Sequence, residues 1–232
     1  MLDAFYPLPK ISEISGSYHH GHLHDALLQA AQSQIAEEGA QSLNLSKLAR
    51  QLGVSQPAVY RHFSSKQALI FSLVERGFTV LTQQLETATE SISFPSDSLN
   101  AQPSTNSVIE GIEVIAQTYI AFVLENKELA RLMFSLKERV TDPTLHSVSK
   151  QAAVPLVKLI DVGQRCYGLK VNDSEQAVRL MWASIHGLSV LLMDEQLPYV
   201  TNTRGEISVH TKAIARLLYD GLFAADNQAS SV

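Results

Sequence analysis

The sequence predicts an all-α fold, a small three-helix head followed by a larger helical body. Three observations carry this. Apolar residues recur at three- and four-residue spacing along most of the 232 residues, and no segment alternates as a half-buried strand does. The stretch Leu45 to Phe63, LSKLARQLGVSQPAVYRHF, reads as two short helices joined by a tight turn. One long break rich in Ser, Asn and Pro, FPSDSLNAQPSTNS from Phe94 to Ser107, reads as a loop and divides the body.

Met1 to Ser17 mixes acids, prolines and serines, with no basic stretch ahead of an apolar core. It is expected to be a mobile leader and not a signal peptide. The first helix, His24 to Glu38, sets Leu27, Ala30, Ala31 and Ile35 on one face with Leu23 just ahead, and Gly39 closes it. A second helix from about Leu45 to Leu52 has Leu45, Leu48, Ala49 and Leu52 on its apolar face. Gly53 follows, where a left-handed residue commonly ends a helix. Val54 is the apolar turn residue. Ser55 is placed to cap the next helix, and Pro57 fits its first turn, where the amide it lacks would be unpaired. This is a helix-turn-helix, a motif whose second helix normally enters the DNA major groove. Ser64 or Ser65 caps a further helix from about Lys66, expected to continue to Ile92.

The body reads as helices only. Val108 to Glu125 carries Val108, Ile112, Ile115, Tyr119, Phe122 and Val123 at helical spacing, and Lys127 to Arg139 follows. Asp142-Pro143 starts a helix toward Tyr167, kinked at Pro155, where a hydrogen bond is lost and the preceding turn is crowded. Asn172 and Glu175 have capping-box spacing ahead of a helix from Ser174 to about Met193. Pro198 to Gly205 is a loop, and Glu206 to Ala224 is the last helix, with Ile207, Ile214, Leu217, Leu218 and Leu222 on its apolar side.

Composition narrows the class. No stretch approaches ~20 uninterrupted apolar residues, so no membrane span is expected. The single cysteine, Cys166, excludes an internal disulfide; it falls on an apolar stripe with Leu159 and Val162 and reads as core. The net charge of −5 is unevenly spread: residues 1–78 hold six bases and six acids, residues 79–232 twelve bases and seventeen acids. A neutral head on an acidic body implies DNA binding through a few placed contacts and not through a broad basic field. No nucleophile elbow, metal-ligand triplet or phosphate loop is present, so no catalytic residue is assigned and no enzyme is expected.

The order of elements resembles the N-terminal domain of the tetracycline-repressor (TetR/AcrR) family of bacterial regulators. The resemblance runs from Ala26 to Leu69, about a fifth of the chain, and rests on Gly53-Val54-Ser55, Val59-Tyr60-Arg61-His62-Phe63 and Lys66. MWASIHGL, Met181 to Leu188, looks like the Trp-x-x-x-His-Gly motif in the C-terminal domain of one subfamily, and YHHGHLHDALL, Tyr18 to Leu28, looks like that subfamily's opening. The resemblance implies a flexible leader (1–17), a DNA-binding head (18–66), a regulatory and dimerisation body (67–225) and a tail (226–232).

It also assigns residues. Gln56, Ala58 and Tyr60 fall at the family's base- and phosphate-facing positions. Gln can pair with adenine through two hydrogen bonds, and an alanine methyl can rest on thymine. Tyr60 and His62 suit phosphates, Lys66 matches the family's phosphate-contacting lysine, and Pro57 and Arg61 complete the DNA-facing set. Ser46 and Lys47, at the front of the preceding helix, are expected to donate to phosphate, helped by the backbone amides there. His19, His20, His22 and His24 crowd the approach to the head. They lack the accompanying ligands a metal site would need, so they read as a DNA-proximal arm, though family members commonly carry Arg or Lys at the position of His24. Trp182 and His186 stand one turn apart with Gly187 beside them. They read either as core, with the glycine allowing close helix approach, or as the lining of a pocket or dimer face. Tyr119, Phe122, Phe134, Trp182 and His186 are the candidate pocket residues.

The implied protein is a cytoplasmic homodimeric repressor without cofactor or metal. It would read palindromic double-stranded DNA and be released by an apolar or amphipathic small molecule. The last two helices, about Ser174 to Met193 and Glu206 to Ala224, would form the dimer face. A helical ligand-binding or adaptor protein with a weakened DNA head is the alternative.

Overall fold

The computed structural model describes residues 22–90, 92, 106–167, 171, 173–197 and 203–223. Among them there is no strand. The helices are α1 (His22–Glu38), α2 (Leu45–Gln51), α3 (Gln56–His62), α4 (Lys66–Glu90), α5 (Asn106–Glu125), α6 (Lys127–Ser135), α7 (Pro143–Gln151), α8 (Val154–Tyr167), α9 (Ser174–Met193) and α10 (Arg204–Phe223), with short 3-10 turns at Ala40–Ser42 and Lys137–Val140. The chain divides into two compact units between Leu73 and Val74, inside α4.

The head unit is held by a single apolar cluster. Leu27, Ala31 and Ile35 of α1 are buried with Leu48 and Ala49 of α2, Val59 and Phe63 at α3, and Leu69 and Leu73 of α4. Two glycines allow the chain to turn where the sequence requires it. Gly39 (φ 80°) ends α1 and Gly53 (φ 65°) ends α2, both in the left-handed region that side chains with a Cβ disfavour. Each helix start that follows has a side-chain cap. Asn44 accepts from the Ser46 and Lys47 amides, Ser55 Oγ from the Ala58 amide at 3.3 Å, and Ser65 Oγ from the Ala68 amide at 3.1 Å.

In the body unit α5 is the central helix, packed against α8, α9 and α10. Ile112, Tyr119, Ile120 and Phe122 are buried there. That position explains why Ser107–Glu125, with a mean hydropathy of 1.5, is apolar and long enough to cross a membrane: it is the core of a bundle. Gly111 lets α8 approach, since a Cβ there would sit 2.5 Å from Leu159 Cδ1.

Several boundaries differ from the sequence reading. Lys127 to Arg139 is not one helix: α6 ends at Ser135, Leu136 is extended (φ −69°, ψ 112°), and a 3-10 turn carries Arg139. Nothing in the local sequence marks that break. Asp142 to Tyr167 is not a kinked helix but two. Asp142 caps α7 by accepting from the Leu145 amide at 2.9 Å, and α8 restarts at Val154. The proline ring at position 155 would meet the carbonyl of Gln151 in a continuous helix, so the chain breaks at Ala152 and Ala153, and Pro155 falls in a first turn. The α9 cap is Asp173, whose carboxylate accepts from the Gln176 amide at 2.9 Å. Asn172, the expected cap, lies outside the described residues. So do His19, His20, residues 94–105 of the expected Phe94 to Ser107 loop, and the side chains of His22 and Cys166, while Asn106 and Ser107 open α5 instead.

Candidate nucleic-acid interface and ligand site

Helix α3 has a buried edge and an open one. Val59 is fully buried and Phe63 nearly so, which fixes the helix on the head. Gln56, Pro57, Tyr60 and Arg61 are exposed on the opposite side, with Ala58 and His62 half-buried between. Tyr60 keeps half of its surface in solvent (50%). A short helix whose outer edge carries an amide, a phenol, a guanidinium and a methyl has the groups needed to read base edges and phosphates.

The flanking groups are more engaged than the sequence suggests. The Asn44 carboxamide oxygen already takes the Ser46 amide at 2.9 Å and the Lys47 amide at 3.2 Å, so those backbone donors are occupied and only the side chains remain to meet a phosphate. Lys47 pairs with Glu38, and this hydrogen bond holds the Glu38 carboxyl below its usual range. Lys66 donates from Nζ to the Gln41 carbonyl at 3.1 Å, tying the start of α4 to the 3-10 turn after α1. The His24 ring stacks on Phe63, with centroids 4.8 Å apart, and lies 6.2 Å from the His62 ring. That stacking makes His24 a packing residue of the head as well as a candidate donor.

The body gathers four of its five candidate pocket residues. Tyr119 Oη lies 2.9 Å from His186 Nδ1. The Tyr119 ring meets Trp182 edge-on at 5.2 Å, and Phe134 lies 4.5 Å from His186 and 6.4 Å from Trp182. Burial pushes the Tyr119 phenol well above its usual range, so it stays protonated and is placed to donate to Nδ1. Burial, and then the nearby Arg139 charge, hold His186 below its ordinary value, favouring the neutral ring. Phe122 is buried on the same helix and makes no ring contact with the other four among the described residues. Phe78, which meets Phe134 edge-on at 5.5 Å, joins the cluster instead.

Besides Phe78, two residues escaped the sequence reading. Asn44 does the capping that secures α2; its position ahead of an apolar helix was a usable signal. Arg139 stands at the cluster, its guanidinium carbon 6.0 Å from the Phe134 ring centre. Nothing in its local sequence pointed there. Gly187 does not mark a close helix approach within the chain, because a Cβ there would meet nothing within 4 Å. A separate cleft of about 460 Å³ opens along α4 and α8, lined by Glu86, Glu90, Lys158, Asp161 and Arg165 around Pro155 and Leu159. Its charged rim differs from the aromatic cluster. Among the described residues no group of three His, Cys, Asp or Glu side chains is arranged to hold a metal ion.

The head defines a helix-turn-helix protein with a separate all-helical body. Comparison with known proteins then narrows the class. Residues 27–73 match the sequence model of the bacterial regulatory proteins of the tetR family, and residues 112–211 match that of the tetracyclin repressor-like C-terminal domain. With both domains matched, the chain belongs to the tetR family, a family of helix-turn-helix transcriptional regulators and not of enzymes. It is 26% identical over 139 residues to the uncharacterised regulator YdgC of Bacillus subtilis, spanning 60% of this chain and 64% of YdgC. It is 31% identical over 110 residues to the nucleoid occlusion factor SlmA of Vibrio vulnificus, spanning 47% of this chain and half (50%) of SlmA. A solved structure of a Rhodococcus protein of unknown function superimposes with a TM-score of 0.74 at 26% identity, covering 90% of this chain and all (100%) of that one.

Proposed function

We propose that this protein is a ligand-responsive repressor that binds palindromic operator DNA as a homodimer and is released by an apolar or amphipathic small molecule. We place it in the subfamily marked by Trp182, His186 and Gly187. The observation that carries the DNA-binding role is α3, anchored by Val59 and Phe63 and open along Gln56, Pro57, Tyr60 and Arg61. Around it, Ala58 and His62 complete the reading edge, and Ser46, Lys47 and Lys66 bring side chains to the phosphates. The cytoplasm, which holds the chromosome, is the compartment where such a protein works.

The dimer is supported by apolar side chains that the single chain leaves in solvent. Leu180 and Leu191 of α9 are 46% and 40% exposed, and Val209 and Leu217 of α10 are 64% and 72% exposed. Side chains of this kind on the last two helices suit a four-helix interface with an identical copy. The ligand role is supported by the Tyr119, Phe134, Trp182 and His186 cluster, in which aromatic walls surround a few polar groups. A ligand that binds more tightly to the DNA-incompetent form would lower operator affinity by linkage.

A gel shift with the intergenic DNA beside the gene tests the reading. A saturable shift at one palindromic segment is expected, with two protomers per site. The absence of any shift favours the adaptor with a weakened head, to which the neutral charge of residues 1–78 lends support. SlmA, with which this chain shares 31% identity over 110 residues, is a nucleoid occlusion factor. Binding at many sites across the chromosome, mapped by crosslinking, would favour a role of that kind over control of one operator.

A further inference from the structure

We propose that the aromatic cluster of the body is a site for an organic acid, with Arg139 as the residue that takes the ligand's carboxylate. The proposal rests on the reading of the cluster as the inducer site and gives it a chemical class. Arg139 Nε is buried and has no hydrogen-bond partner, and the guanidinium makes no ion pair with a carboxylate of the described residues. The other arginines placed near acids do pair: Arg131 with Glu128 and Asp194, Arg165 with Asp161, Arg179 with Asp173 and Glu175, Arg216 with Asp220. A buried Nε with no acceptor, on a charged group set beside apolar rings, is an unfavourable arrangement that an anion would relieve.

The surroundings set what that anion must be attached to. Phe134 lies under the guanidinium, and Trp182, Tyr119 and His186 stand around Phe134. Phe134, Trp182, His186 and Arg139 are each half-buried, so these four are not sealed as core, whereas Tyr119 behind them is buried. The Tyr119 phenol and the His186 imidazole add hydrogen-bonding groups without a fixed negative charge. One unpaired cation, two polar rings and apolar walls together suit a carboxylate carried on an aryl or alkyl body. A bare inorganic anion would leave the apolar walls unused, and a neutral amphiphile would leave the cation unpaired.

The chain has one tryptophan, Trp182, so its fluorescence reports on this site alone. Three acids would be titrated into the full-length protein, each against its methyl ester: 4-phenylbutyrate, 2-naphthoate and decanoate. Calorimetry would run beside the fluorescence, and acetate would serve as an anion without an apolar body. At least one acid should bind tenfold or more tightly than its ester, and acetate should not perturb Trp182 at the same concentration. In Arg139→Gln the ester should bind as before and the acid should lose its advantage. Arg139→Lys should retain part of it, which guards against a folding defect in the first variant. Esters that bind as well as acids in the parent protein overturn the anion site and leave the apolar inducer site standing. Binding of neither acids nor esters overturns both readings. Acetate binding as tightly as the larger acids overturns the assignment to an organic body.

Discussion

The head and the body use polar groups in opposite ways. In the head, most caps and contacts are local: Asn44, Ser55 and Ser65 each satisfy amides two or three residues ahead, Lys47 reaches Glu38 nine residues away, and Lys66 reaches the Gln41 carbonyl across 25. In the body, the Tyr119–His186 hydrogen bond spans 67 residues, and the cation beside it comes from a third element. A surface built from local contacts can be rigid in a small unit before anything binds. A cluster assembled from distant segments depends on how the bundle packs, which suits it to sense a ligand.

The largest effect is expected from removing the packing of the head alone. Leu48 is fully buried in α2, and Leu48→Ala should cost about 2–5 kcal/mol in urea unfolding through lost burial and a residual cavity. If the two units are independent, the fluorescence of Trp182 should keep its parent transition while head signals melt early. A single shifted transition in both probes would show that the units unfold as one. Next in size, Tyr60→Ala should weaken operator binding by about 1–3 kcal/mol without changing the melt. Lys66→Ala should do the same and also loosen the start of α4, since its ammonium holds the Gln41 carbonyl. Parent-like DNA affinity in both variants would remove α3 from the recognition role.

Smaller effects sharpen the contrast. Asn44→Ala strips the cap from two amides and should cost about 1 kcal/mol of head stability. If operator affinity falls no further than stability explains, the Ser46 and Lys47 amides are structural and not phosphate ligands. In the body, Gly187→Ala places a methyl in open space on α9 and should stabilise the monomer by about 0.5–1 kcal/mol through helix propensity. A shift toward monomer in sedimentation, with the fold intact, would instead locate Gly187 at a contact between two copies.

The same contrast explains what could be read from the sequence. The turn at Gly53, the cap at Ser55 and the tolerance of Pro57 depend on neighbours a few residues away, and each was legible. So were the span of α9 and the apolar face of α5. The break between α7 and α8 was half legible: Pro155 announced a disturbance, but only packing decides whether a helix bends or restarts. Arg139 was not legible, because its significance comes from Phe134 and His186 and not from the residues beside it. The stacking of His24 on Phe63 is similar, a contact between the two ends of the head.

The smallest expected effect concerns pH, and it separates the units by where each loses stability. His186 is held below its ordinary value of 6.5 by burial and by Arg139, so near that pH the unfolded chain binds more protons at this position than the folded one. The contribution of the neutral ring is complete above 6.5 and is lost as the pH falls from there toward the folded value. The Tyr119 phenol that faces it does not titrate in that window, since burial pushes it up. In the head, Glu38 is shifted downward from 4.5 by Lys47, so its contribution is intact at those pH values and fades only at more acidic ones. Melting followed by Trp182 fluorescence should therefore decline between pH 7.5 and 5.5, and His186→Gln should flatten that decline. An equal slope in the parent and the variant would show that the body's acid sensitivity lies with another group and that the Tyr119–His186 pair is ordinary packing.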